Sequence, residues 1–298
     1  MLALICGEGD LPGAVARAQD SPPLVCVLSG FAPRGLDADL TFRIETLGSL
    51  LEDLRHRGVT RICLCGRIRR PEVELARIDA ATLPLVARLH AALQEGDDGA
   101  LRAVMAIFEE AGFAIVAAHE AAPGLLPESG VPTELTQLDS AEADARAGEA
   151  ALKEMGAADL GQACVVRDGR VVAREDARGT DAMLRDVAQG AGPGGGEDAT
   201  DPASWMMDRA GDLLGAAADW LSGPAAGRSG LLYKAPKPGQ DRRADLPTIG
   251  PATARAAARA GLTGIVIEAG GVIVLDLPRL VAECDRAGLF LWVREPRA

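Results

Sequence analysis

Aromatic side chains are nearly absent from this chain: three Trp, one Tyr and five Phe make up 3% of its residues. Its cores must therefore be built from Ala, Val, Leu and Ile. Histidine is as scarce, with three in all, and the six cysteines form no C-x-x-C pair, which speaks against a zinc site. Five of them (Cys6, Cys26, Cys63, Cys65, Cys164) fall in apolar, strand-like runs and Cys284 in a helical one. They read as buried free thiols of a reducing compartment. Basic residues are outnumbered 31 to 43, for a formal charge of -12, and so acidic a chain is not expected to wrap nucleic acid. No apolar run approaches the ~18 residues of a membrane span, and no charged region precedes the short apolar start. Neither a transmembrane helix nor a signal peptide is expected, so the protein reads as cytoplasmic. Nucleophile-elbow, P-loop and zincin motifs are missing as well.

What is present is globular: 48% hydrophobic and 25% charged residues over 298 positions, enough for two domains of ordinary size. Residues 2–6 (LALIC) are a continuous apolar run, the mark of a strand buried on both faces. GEGDLPG follows, then an alanine-rich helix from about Ala14. Strand, glycine turn and helix is a phosphate-cradling arrangement, which makes Gly7 and Gly9 candidate binding residues. The dinucleotide fingerprint fails on two counts. Pro12 stands where its third glycine belongs, and the second strand, residues 24–28, ends at Ser29-Gly30 without an acid for a ribose. A tight turn with no ligand is the alternative.

A helix over 48–58 and a third strand over 60–65 come next, ending at Gly66 and the run Arg67-Ile68-Arg69-Arg70-Pro71. Open parallel sheets bind ligands beyond the carboxyl ends of their strands, so Gly66 and Arg70 join the candidates, with solvated charge as the alternative. Helices over 83–93 and 100–111 flank GDDG, where Asp98 is either a helix cap or a metal ligand. A strand over 113–117 closes on His119-Glu120, and three prolines and two glycines then interrupt residues 121–132. The predicted architecture is α/β with two domains: an N-terminal Rossmann-like parallel sheet over 1–132 and a C-terminal α/β catalytic domain over 133–298.

The second half opens with an alanine- and acid-rich helix over 139–155. In CVVRDGRVVA (164–173) valines alternate around Asp168-Gly169, a dipeptide that tolerates positive φ, which predicts a hairpin with a type I′ turn. Thr180 is expected to cap a helix running from Ala182, with Asp181 either in its first turn or facing a ligand. The low-complexity run 189–202 reads as a glycine-rich hinge. The amphipathic helix expected over 203–221 serves either as core or as a lid. Residues 232–250, LYKAPKPGQDRRADLPTIG, carry four cations (Lys234, Lys237, Arg242, Arg243) and two acids (Asp241, Asp245) between three prolines. Lys and Arg donate charge-assisted hydrogen bonds to phosphate, and Asp can hold a hard cation or position water. A solvated, proline-stiffened surface loop is the alternative. A helix from Pro251, strands over 264–268, 272–276 and 289–293, and a helix over 278–287 complete the chain. Acids and cations without an evident nucleophile suit metal-assisted attack of water on a phosphate ester or anhydride.

KAPKPGQDRRADLPTIG resembles the signature of the LpxI-type UDP-2,3-diacylglucosamine pyrophosphatases of lipid A biosynthesis. The similarity extends to GEGDLPGAVA, CGRIRRP, GDDGALRAVMAIFEEAGF with AAHE, GTDAMLRDVA and GLTGIVIEAG, and so to nearly the whole chain. It implies a two-domain, Mg²⁺-dependent hydrolase that splits UDP-2,3-diacylglucosamine into UMP and 2,3-diacylglucosamine 1-phosphate, lipid X. It implies Asp245 as the residue needed for turnover, holding Mg²⁺ or orienting water, with Asp181 and Asp98 as further metal ligands. The expected substrate contacts are Gly7, Gly9, Gly66, Arg70, Thr180, Asp181, Lys234, Lys237, Gln240, Arg243 and Thr248. A diacylated substrate implies peripheral contact with the inner membrane, although the net charge disfavours docking on anionic lipid; a homodimer is one open assembly. Three features depart from the family pattern. Arg178 stands directly before GTD, where the family has an acid, which leaves open whether Glu175 takes its place. The segment 189–220 is longer, and Arg69 is an additional arginine. Two other classes stay open: a dinucleotide-dependent oxidoreductase and a non-catalytic protein binding a nucleotide-linked lipid.

Overall fold

The computed structural model describes residues 1–69, 71–94, 97–158, 160–190 and 228–296. Arg70, the side chain of Asp98, all but the first two residues of 189–202 and the helix expected over 203–221 lie outside the described residues. The chain divides into two units. One comprises Met1–Leu126, Gly239–Thr248 and Ile273–Leu275; the other comprises Pro127–Pro238, Ile249–Val272 and Asp276–Ala298.

In the first unit, strands β1 (Leu2–Cys6), β2 (Leu24–Leu28), β3 (Leu40–Phe42), β4 (Arg61–Cys65) and β5 (Ala114–Ile115) form a parallel sheet in the order β3-β2-β1-β4-β5. The central place of β1 explains why LALIC is apolar at every position: Ile5 pairs with Cys26 on one side and with Leu64 on the other, and both faces are covered. The helices are α1 (Leu11–Arg17), α2 (Leu47–His56), α3 (Val86–Gln94), α4 (Asp97–Glu110) and α5 (Ala118–Ala121). Alternate residues of β1 feed two cores. Ala3 and Ile5 pack with Leu47, Leu50 and Leu54 of α2 and Phe108 of α4. Leu2, Leu4 and Cys6 pack with Val15 of α1 and Ala118 of α5. Each fully buried leucine here is worth about 1.5–3 kcal/mol.

Some boundaries differ from the sequence expectation. Helix α1 begins at Leu11 rather than Ala14, because Pro12 fits a first turn where no amide bond is needed. Helix α4 begins at Asp97 rather than Ala100, which takes Asp98 into the helix. The expected strand over 113–117 contracts to Ala114–Ile115, and β3 was not anticipated.

In the second unit, α6 (Ala141–Ala157), β6 (Ala163–Arg167), β7 (Arg170–Arg174), α7 (Thr180–Ala188) and β8 (Leu231–Lys234) precede α8 (Pro251–Arg259), β10 (Gly264–Glu268), α9 (Leu277–Ala287) and β12 (Phe290–Arg294). Two short strands, β9 (Thr248–Ile249) and β11 (Ile273–Val274), pair as a separate ribbon. The unit's own sheet runs β12-β10-β8-β6-β7, with β8, β10 and β12 parallel and β6 antiparallel to both its neighbours. The β6–β7 turn is the expected one, with Asp168 at φ 50° and Gly169 at φ 72°. Pro251 opens α8 as expected. Helix α6 packs on the sheet through Gly148, where a Cβ would come within 2.6 Å of the Tyr233 ring. All six cysteines are free and buried, and burial pushes the thiols of Cys26, Cys164 and Cys284 up to about 12. Among the described residues no helix is long and apolar enough to cross a membrane.

Candidate functional site

In the first unit the strand order reverses beside β1, so the carboxyl ends of β1 and β4 flank the place where open α/β sheets bind ligands. Gly7 and Gly66 are there because two backbones nearly touch. A Cβ on Gly7 would lie 2.5 Å from the Arg67 carbonyl oxygen, and one on Gly66, at φ 91°, would lie 2.6 Å from the Gly7 oxygen. The contact takes up amides that a phosphate would otherwise use. Gly7 N–H donates to Cys65 at 2.9 Å, and Glu8 N–H donates to Arg67 at 2.8 Å. Gly9 lies in the same turn at φ 102°, and Arg69 donates to Glu8 at 3.1 Å.

Beyond the carboxyl ends of β2 and β3 lies a cavity of about 540 Å³ whose wall includes Leu28, Ser29, Phe31, Arg43, Glu45 and Arg69. Glu45 is buried and accepts from Arg43 at 2.9 and 3.2 Å and from the Glu74 amide at 2.7 Å. Burial pushes its carboxyl up, but these donors outweigh burial and hold it at about 2. The Arg43–Glu45 pair was not among the sequence candidates. The signal was an arginine and an acid following a strand of three residues, too short to be recognised by alternation.

Asp245 also belongs to the first unit. Residues 241–245 form a turn, with the amides of Ala244 and Asp245 both 3.3 Å from the Asp241 carbonyl. Ala244 packs against the core on one face of the sheet and Leu246 is buried in the core on the other. Asp245 thus lies between two anchored neighbours, and Gln240 Nε2 donates to its Oδ2. Arg243 turns its fork to protein carboxylates. Nε and Nη2 donate to Asp241 at 3.0 and 2.8 Å, and Nη1 donates to Glu109 of α4 at 2.6 Å. The guanidinium pulls the Asp241 carboxyl below its ordinary range. Thr248 sits at the end of this segment, its hydroxyl donating to Leu246 at 3.4 Å. Ile273 N–H closes the segment by donating to the Pro247 carbonyl at 2.8 Å.

The second unit gathers Thr180, Asp181 and Lys234. Lys234 ends β8 in register with Ala163 of β6, and the amide of Glu175, just past β7, donates to the Ala163 carbonyl at 2.9 Å. One sheet edge therefore carries both Lys234 and Glu175, with Glu268 at the end of the neighbouring β10. Lys234 is buried, 7% exposed, and its Nζ donates to Thr180 Oγ1 at 2.7 Å. Thr180 in turn donates to Glu175 Oε1 at 2.6 Å. Thr180 is the first residue of α7, not its cap; the capping position is Gly179, at φ 89°. Asp181 is exposed in that first turn. Arg178 points elsewhere, bonding to Asp176 at 2.7–3.2 Å and to Asp186 at 2.8 Å on the surface. Lys237 is half-buried between Pro236 and Pro238. A compositional signal here was available in the sequence: the chain has three lysines, and two of them are Lys234 and Lys237.

Among the described residues no three His, Cys, Asp or Glu side chains form a ready-made metal cage. Of the three carboxylates expected to hold Mg²⁺, Asp245 belongs to the first unit and Asp181 to the second.

Comparison with known proteins covers both halves. Residues 1–125 match the family model described as LpxI N-terminal domain, and residues 128–292 match that described as LpxI C-terminal domain. Over 310 positions the chain is 37% identical to a protein of Caulobacter vibrioides named UDP-2,3-diacylglucosamine pyrophosphatase LpxI, an alignment covering 99% of this chain and 98% of that one.

Proposed function

Because the chain belongs to the LpxI family, we propose that it hydrolyses the pyrophosphate of UDP-2,3-diacylglucosamine to UMP and 2,3-diacylglucosamine 1-phosphate. Water adds across the P–O–P linkage: its oxygen ends on one phosphorus, and the other phosphate leaves with the bridging oxygen. Asp245 is the residue assigned to bind Mg²⁺ or to orient that water. The observation carrying this assignment is the setting of Asp245, whose neighbours Ala244 and Leu246 are anchored in the cores and whose carboxylate meets Gln240. Catalytic groups have to be fixed in this way before substrate arrives.

The donor chemistry fits Mg²⁺, a hard cation that takes one or two carboxylates and completes its shell with water and phosphate oxygens. Asp245 supplies such an oxygen, and the bound ion would offset charge on the anhydride. Lys234 and Lys237 neutralise charge growing on the phosphates. Gln240 orients the Asp245 carboxylate, and Arg243 holds the turn through Asp241 and Glu109. The two acyl chains of the substrate call for peripheral contact with a lipid surface.

The test is UMP release from UDP-2,3-diacylglucosamine by purified protein, with Mg²⁺ or with EDTA, beside Asp245→Ala. Activity is expected with Mg²⁺ and is expected to fall about 10³-fold in the variant. No UMP under any condition would leave a binding protein; full activity of Asp245→Ala would remove that residue from the chemistry.

A further inference from the structure

Lys234 is an ammonium almost wholly removed from solvent, and what holds it in place decides where its charge sits. We infer that Glu175 is a positioning residue for Lys234, acting through the hydroxyl of Thr180. The inference rests on the assignment of Lys234 to the phosphates made above.

Donor and acceptor counts set the direction of these bonds. A threonine hydroxyl has one proton. With Glu175 ionised and acceptor-only, that proton goes to Glu175 Oε1 at 2.6 Å. The hydroxyl oxygen is left to accept from Lys234 Nζ at 2.7 Å. The direction of the whole chain of bonds, ammonium to hydroxyl to carboxylate, is set by the carboxylate at its end. The other oxygen, Oε2, is taken by the Gln162 amide at 2.5 Å. Both oxygens of Glu175 must therefore accept, which a carboxylate can do and a carboxamide cannot.

Backbone packing fixes the same side chain. A Cβ at Gly161 would lie 2.6 Å from both Cβ and Cγ of Glu175 and 2.8 Å from its carbonyl oxygen. Glycine at 161 is what lets Glu175 lie against the start of β6. The sheet register closes the arrangement, because Ala163 is bonded to Glu175 on one side and paired with Lys234 on the other. Glu268, at the end of β10, is the carboxylate on the adjoining strand, and it is kept unchanged in the test.

The experiment compares wild type with Glu175→Gln, Thr180→Val, the double variant and Thr180→Ser. In Glu175→Gln an N–H must face either the Gln162 amide or Thr180, so one of the two bonds that fix the side chain is lost without loss of volume. Expected are a 10- to 100-fold fall in kcat with KM within about threefold, and a double variant no worse than the poorer single one, since the two act on one path. Thr180→Ser, which keeps the hydroxyl, should retain most of the activity. An active Glu175→Gln enzyme with wild-type kcat, or losses that multiply in the double variant, would overturn the inference.

A second readout does not need turnover. With three lysines in the chain, ¹³C-lysine NMR can follow Lys234 directly, its signal identified by Lys234→Arg. Removing the negative charge should lower the Lys234 titration midpoint by about one pH unit while Lys153 and Lys237 stay put. An unchanged midpoint overturns the inference even if the enzyme is active. A lowered midpoint in a protein that releases no UMP keeps the positioning and defeats the hydrolase reading instead.

Discussion

Arg243 and Lys234 stand nine residues apart in one stretch, and the sequence gives them the same role, yet their surroundings differ in kind. Arg243 sits in the first unit with its fork turned to Asp241 and Glu109. Lys234 sits in the second unit, buried at a sheet edge, with the hydroxyl of Thr180 against it and the carboxylate of Glu175 one step behind. An arginine whose planar fork is matched by carboxylates is a clamp. The ammonium of Lys234 meets a hydroxyl whose own proton goes to Glu175. A basic residue near a candidate site is thus identified by its partners, not by its sign.

Three measurements can break or sharpen this contrast. Lys234→Met should cost the most activity, about 10²-fold in kcat/KM, whereas Arg243→Met should cost about tenfold, through loosening of the turn that carries Asp245. Equal losses from the two would erase the distinction. For Arg243 the larger part of the effect should be recovered by adding Asp241→Asn, which relieves the facing carboxylates; no recovery would mean that Arg243 touches substrate. Next in size, Leu246→Ala should destabilise the first unit by about 2–3 kcal/mol and lower kcat with it, because the buried leucine fixes one side of Asp245. Denaturant unfolding with an unchanged midpoint would show that Leu246 does not hold the turn.

The smallest effect concerns acid. Glu45, whose folded value is depressed from 4.5 to about 2, contributes stability that is fully present above its ordinary value. That contribution is lost as pH falls through about 2. Melting temperature should therefore drop between roughly pH 4.5 and 2, and Glu45→Gln should flatten that drop. A wild-type curve no steeper than that of the variant would remove Glu45 from the acid response.

Much of the fold was legible because it is written locally. Residues 2–6 and 24–28 are strands as expected, since an unbroken apolar run has no other way to be buried on both faces. Asp168-Gly169 marked its hairpin because two successive positive φ angles suit few dipeptides, Asp-Gly among them. Strand β3 is hidden in the sequence because three residues make no period, and Thr180 reads as a cap because its hydroxyl suits capping equally well. In the structure that hydroxyl is drawn to Glu175 and Lys234. Of the candidate site, Asp245, Thr180 and Lys234 were visible as residues, while Glu109, Gly161 and Gln162, which hold their neighbours, were not.

By itself, the sequence determined the α/β class, most strands, the hairpin and the similarity to the LpxI family, because these depend on periodicity, turn chemistry and residue order. Tertiary structure decided the partners. It placed Gly7 against Gly66, Arg243 on Glu109, 134 residues earlier, and Lys234 on Thr180, 54 residues earlier. Such pairings follow from strand register and from which helix lies on which face of a sheet, and no local stretch of chain carries that information.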